Sequence, residues 1–154
     1  MSHRKIDVDK FDDEDAFVDE NATAQGSTAV SAQTEADVDA RATEVRNYLS
    51  RGDTGAAVVK ALENPPAGRE VTTVKDKNTA TVMAALAAAK SGDILNIVKS
   101  LDSKQVDILM KYIYRGMASP ELYNSAVLLA WHEKATEVAG LGSIVRVLTD
   151  RRTV

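Results

Sequence analysis

From residue 38 to residue 148 the apolar residues of this chain recur at steps of three and four. Val38, Ala42, Val45 and Leu49 form one such stripe, the spacing of one face of an α-helix. Gly52 ends that helix, and Asp53 stands where it can cap the next; glycine tolerates the left-handed stop and aspartate accepts from free N–H groups. Val58, Val59 and Leu62 carry a second helix, halted at Asn64-Pro65-Pro66. Proline has no backbone donor and disfavours a helical residue before it. Residues 67–75 read as a loop. An Ala-rich helix over 76–90 follows, with Val82, Met83 and Leu86 inward. Ser91-Gly92-Asp93 breaks and restarts the chain, and Ile94, Ile97, Val98 and Leu101 make the next stripe. Asp102 or Ser103 caps a longer helix bearing Val106, Leu109, Met110, Ile113, Tyr114 and Met117, punctuated by Gly116 and Pro120. Residues 124–139 carry Val127, Leu128, Trp131, Ala135 and Val138. Gly140 and Gly142 close that helix, and Ile144, Val145 and Leu148 belong to a last one. No run alternates as a half-buried strand does. The pattern predicts an all-α fold: a compact right-handed stack of about six to seven antiparallel helices joined by short connections.

An echo runs through this body. Ser50-Arg51-Gly52-Asp53 leads to Val59-Lys60-Ala61-Leu62, and forty residues later Lys90-Ser91-Gly92-Asp93 leads to Val98-Lys99-Ser100-Leu101. A period of about 40 suits paired-helix repeats, although two copies are fewer than the ~3 that define a solenoid. Coincidence between two turns built from common turn residues is the alternative.

The periodic pattern fails before residue 35. Residues 1–40 hold eleven Asp or Glu against three Lys or Arg, whereas residues 41–154 hold twelve against sixteen. So the first segment is net −8 and the rest net +4. A segment so charged and so poor in apolar residues cannot bury enough surface to offset its ordering entropy. Residues 21–34 are small and polar, like a flexible linker. The expected organisation is an extended, disordered acidic arm and linker over 1–34 and a helical scaffold domain over 35–154. Both phenylalanines of the chain, Phe11 and Phe17, lie in the arm, with Ile6, Val8 and Val18 as further apolar points. Such residues suit a partner's pockets better than the chain's own interior; the plainer reading is a solvated tail with two incidental aromatics.

Chemistry is sparse. There is no cysteine, so disulfides, thiol catalysis and thiolate metal sites are excluded. His3 sits in the arm. His132 follows Trp131 on a helix, with only Glu133 and Glu137 near it in sequence, too few ligands for a metal. The carboxylates Asp12, Asp13, Glu14 and Asp15 belong to a flexible segment and cannot hold acid–base geometry. Neither a dinucleotide glycine turn nor a phosphate loop is present. Basic residues are scattered without stacking aromatics, which argues against a nucleic-acid groove. No apolar run approaches the ~20 residues of a membrane span, and Met1 to Asp7 lacks a signal peptide's apolar region. A soluble intracellular protein is expected, with no catalytic residue, cofactor or metal. Binding is what remains. Tyr112, Trp131, Ile144, Val147 and Leu148 are the body's candidate contact residues, since Tyr and Trp are enriched at interfaces. Tyr112 and Tyr114 point to opposite sides of one helix. The bland arrangement puts Tyr114 and Trp131 in the core and Tyr112 at its boundary.

Several strings are distinctive. They are Leu109-Met110-Lys111-Tyr112-Ile113-Tyr114-Arg115-Gly116, Ser125-Ala126-Val127-Leu128-Leu129-Ala130-Trp131-His132-Glu133-Lys134-Ala135 and Gly142-Ser143-Ile144-Val145-Arg146-Val147-Leu148-Thr149, with Arg4-Lys5-Ile6-Asp7-Val8-Asp9-Lys10-Phe11 in the arm. Together they resemble subunit 5, the smallest subunit, of the actin-related protein 2/3 complex. The resemblance is weakest over residues 21–45 and at Glu121-Leu122-Tyr123. It implies a non-catalytic structural subunit of a seven-subunit assembly that nucleates branches on actin filaments, in the cytoplasm and actin cytoskeleton. It also implies a body docked on subunit 4 and near subunit 1, and an arm, Ile6 to Glu20, that tethers actin-related protein 2. The contrasting reading is a free-standing helical-repeat adaptor that binds peptides in a concave groove.

Overall fold

The computed structural model describes residues 27–66, 72–150 and 154, with side chains from residue 35 onward. Among the described residues there are seven helices and no strand: α1 (Ser27–Ser50), α2 (Thr54–Ala61), α3 (Thr72–Ala88), α4 (Ile94–Ser100), α5 (Ser103–Met117), α6 (Ser125–Ala139) and α7 (Leu141–Thr149). The all-α expectation holds. The centre of the stack is α3, which packs against α1 and α2 on one side and α5 and α6 on the other. Helix α7 rests on α5 and α6, while α4 lies against α6. One apolar core runs from Val45 of α1 through Leu62, Val82, Leu86, Leu109 and Ile113 to Leu128 and Trp131. Val38 and Val74 make a satellite pair.

Helix ends follow local chemistry. Gly52 takes φ +79°; its N–H donates to Leu49 O at 3.0 Å and that of Asp53 to Tyr48 O at 3.0 Å. That pair of bonds is a Schellman stop. The Asp53 side chain then accepts from Ala56 N at 3.0 Å, so the same residue closes α1 and opens α2. Asp102 forms a reciprocal capping box with Gln105, its Oδ1 accepting from Gln105 N at 2.7 Å and its own N–H donating to Gln105 Oε1 at 3.0 Å. Asn124 caps α6 through Ala126 N at 2.9 Å. At Gly140, φ +71° and ψ 178° lie in a region essentially reserved for glycine. This single residue ends α6 and begins α7.

Four sequence expectations are corrected. Helix α1 starts at Ser27, inside the stretch read as linker: after Gly26 the chain contains no glycine or proline until Gly52, and alanines and a glutamine favour helix. Helix α3 starts at Thr72, inside the stretch read as a loop, because Val74 and Lys75 are drawn into buried positions. The echoed turns also differ: Asp93 makes no side-chain cap and has helical backbone angles, and Gly92 does not take positive φ. Finally, Gly116 lies within the last turn of α5 and does not terminate it. A Cβ there would come within 2.7 Å of Met83 Cε and 2.8 Å of Leu128 Cδ1. Its role is to let α3, α5 and α6 approach closely.

Candidate docking surface

Residues Tyr112 and Trp131, expected at a partner interface, are fully buried. Neither can touch a partner while the fold is intact. The Trp131 indole N–H donates to Leu86 O at 3.1 Å, tying α6 to α3. The Tyr112 hydroxyl accepts from Asn78 Nδ2 at 2.5 Å, and Asn78 Oδ1 accepts from Arg41 Nη1 at 2.9 Å. This chain of buried groups links α5, α3 and α1. It explains why a tyrosine occupies a wholly interior site: its polar tip is satisfied. Burial pushes the Tyr112 hydroxyl pKa above its ordinary value, opposed by the Asn78 bond and by the charges of Arg41 and Arg115. The same burial lowers the Lys75 ammonium, helped by the like charge of Arg115. Tyr114, expected inside, is half-buried; its hydroxyl lies 3.1 Å from His132 Nε2. The two tyrosines do diverge, but in the opposite sense to the expected one.

The surface is elsewhere. On α7, Ile144 and Val147 pack against the core, and Ser143 is buried with its hydroxyl donating to Gly140 O at 2.7 Å. The opposite side of the same helix carries Leu141, Val145 and Leu148, exposed by 74%, 59% and 73%. They recur at i, i+4 and i+7, one continuous stripe. Leu122, Leu129 and Val138 are also exposed. Of the body residues named from sequence, Leu148 is therefore open, while Ile144 and Val147 are half-buried supports beneath it. Leu141 was missed. Its signal was legible: α7 has apolar residues on both flanks, more than a single inward stripe needs.

Ion pairs tie α5 to α7 and to α3. Arg146 clasps Asp107 of α5 with two bonds of 2.8 Å each, which raises its already high pKa. Lys111 meets Asp150 at 2.6 Å. Arg115 reaches Asp76 at 2.6 Å and also bonds the Val154 carbonyl oxygen, placing the buried Val154 in the core beside α5. Between α5 and α7 lies a shallow groove of about 350 Å³, lined by Lys111, Tyr114, Arg115, Val147, Leu148, Asp150 and Val154. Two further grooves flank α3, sharing Ala80 and Ala84 between them. The arm residues Ile6, Val8, Phe11, Phe17 and Val18 lie outside the described residues. Among the described residues, no three His, Cys, Asp or Glu converge as metal ligands, and no helix is long and apolar enough to cross a membrane.

The described helices thus leave an aliphatic stripe open on α7, a surface suited to contact. The family model "ARP2/3 complex 16 kDa subunit (p16-Arc)" matches residues 2–154. The chain belongs to the p16-Arc family. It is 44% identical to the human "Actin-related protein 2/3 complex subunit 5-like protein", over 98% of this chain and 94% of the relative. A Xenopus laevis protein named "Actin-related protein 2/3 complex subunit 5-C" is 43% identical over 98% of this chain and 93% of its own length. The Dictyostelium discoideum subunit 5 is 35% identical over 90% of this chain and 99% of its own. The p16-Arc assignment thus spans both the helical body and the acidic arm.

Proposed function

We propose that this chain is a non-catalytic structural subunit of an actin-related protein 2/3 complex, supporting actin filament nucleation and branching in the cytoplasm. In this reading the body docks on subunit 4, near subunit 1, through the outward stripe of α7. The arm, with Ile6, Val8, Phe11, Phe17 and Val18, tethers actin-related protein 2. The observation that carries it is the family match from residue 2 to residue 154, which includes the arm. The α7 stripe supports it independently, since an exposed aliphatic row on a well-packed helix is a contact surface in want of a partner. An arm of this kind adds contact area and raises the local concentration of its target without needing a fold of its own.

Substituting Val145→Ser and Leu148→Ser together tests the docking. Co-purification with subunit 4 should fall by roughly tenfold or more, as expected for truncating central interface residues. Retention equal to wild type would remove α7 from the interface. Deleting residues 1–20 tests the tether: helical circular dichroism should stay, while retention of actin-related protein 2 and branch formation drop. Undiminished branching by the truncated complex would defeat the tether.

A further inference from the structure

We propose that α7 opens from the body as one unit, hinged at Gly140, while the other described helices stay folded, and that docking on its outward stripe holds it shut. The opening stands on geometry alone; the closure rests on the reading of α7 as the docking face. Burial sets α7 apart. Helix α5 sinks six of its fifteen residues into the core, Tyr112 and Ile113 among them. Helix α6 sinks Leu128, Trp131 and Ala135, and the seven-residue α4 sinks Ile94, Ile97 and Val98. In α7 the one buried residue is Ser143, small and polar. Its inward aliphatics, Ile144 and Val147, are half-buried. Elements with few buried apolar contacts open at a free energy well below that of global unfolding.

The backbone allows the motion. A single residue joins α6 to α7, and open space surrounds the place where a Cβ of Gly140 would stand. In hinged movements, large torsion changes fall on such element-terminal residues. What keeps α7 seated is largely polar. Arg146 clasps Asp107 through side chains that remain partly in solvent, and pairs so open to water contribute little. Lys111 meets Asp150 just past the helix. Beyond it Val154, buried and bonded by Arg115 of α5, is the far latch. Val138 of α6 and Val145 of α7 are both exposed. A partner touching both meets them in fixed relation only while α7 is seated. It therefore binds the shut form better and shifts the population towards it.

Hydrogen exchange of single amides in the full-length chain tests the opening. The amides of residues 145–149 close the turns of α7. They should exchange as a set, with protection roughly a hundredfold or more below that of residues 109–113 in α5. Arg146→Gln should speed the α7 set by about two- to fivefold, the worth of one exposed pair, and leave residues 109–113 unchanged. Equal protection in α7 and α5 overturns the opening. So does a gradient rising only towards Thr149, which is end fraying, or a variant that speeds both sets alike, which is global unfolding. In the assembled complex the α7 set should slow by roughly tenfold or more, because the partner binds the shut form. Unchanged α7 exchange there overturns the closure and leaves the opening standing. Docking itself is judged separately, by co-purification of the variant carrying Val145→Ser and Leu148→Ser. Co-purification lost in that variant, with no slowing of α7 in the wild-type complex, would sink the closure and keep the docking.

Discussion

Tyr112 and Trp131 are the large aromatic side chains of the body's centre, and both are sealed inside. Val145 and Leu148 are plain aliphatics on α7, and both stand in solvent. The contrast reverses what residue type alone suggests. Aromatics are common at interfaces, but they also carry the most apolar area into a core, and here each has a buried acceptor or donor waiting for its polar atom. On α7 the inward flank is filled by Ile144 and Val147, so the remaining aliphatics have nowhere to go but outward. Position on the helix, and not hydrophobic strength, decides which residues are left for a partner.

The sharpest way to break this contrast is to empty the centre. Trp131→Ala should cost about 3–5 kcal/mol, the range for deleting a buried aromatic, and lower the thermal midpoint by many degrees. A midpoint within a degree or two of wild type would mean that Trp131 is not the packed element described. Tyr112→Phe should cost less, about 1–3 kcal/mol, because Asn78 Nδ2 loses its acceptor inside the core; denaturant melts measure it. The same variant carries a pH signature. Burial raises the Tyr112 hydroxyl above 10.0, so the unfolded chain releases that proton first as pH rises. The Tyr112 contribution is fully present below pH 10 and is lost as pH climbs through the folded value. Lys75, lowered from 10.5, acts with opposite sign over the alkaline range, but it is common to both proteins. The stability difference between wild type and Tyr112→Phe should therefore shrink above pH 10; a constant difference up to pH 11 would contradict the buried hydroxyl. Asp53→Ala, which removes the side-chain cap of α2 and leaves the backbone stop of α1, should cost about 1 kcal/mol. Smallest in stability is the α7 pair: Val145→Ser with Leu148→Ser should stay within roughly 0.5 kcal/mol of wild type while weakening assembly. A large stability loss there would erase the distinction between centre and surface.

Much of this was legible in the chain because it is local. Gly52 with Asp53, and Asp102 with Gln105, state their helix ends within four residues, and the periodic stripes state which flank is inward. What escaped was set by tertiary neighbours. Nothing near Tyr112 in sequence reveals that Asn78 and Arg41 meet its hydroxyl, so sequence alone puts this tyrosine at the boundary. Gly116 looks like punctuation until Met83 and Leu128 arrive beside it. Gly92 and Asp93 repeat the letters of Gly52 and Asp53 yet adopt another turn, since α4 packs on α6 whereas α2 packs on α1 and α3. The α7 stripe was half legible: Val147 and Leu148 are neighbours in sequence, but only the helix's seating separates the supporting residue from the open one.

The joint at Gly140 has a mechanical corollary. With one residue between α6 and α7, a single pair of backbone torsions aims the whole terminal helix. Nine residues make a rod about 13 Å long, so a 20° change at that pivot would swing its tip by roughly 5 Å. The Arg146–Asp107 clasp is a brake on that lever, and the angle at which any neighbour meets the stripe is inherited from a glycine with open space where a side chain would stand.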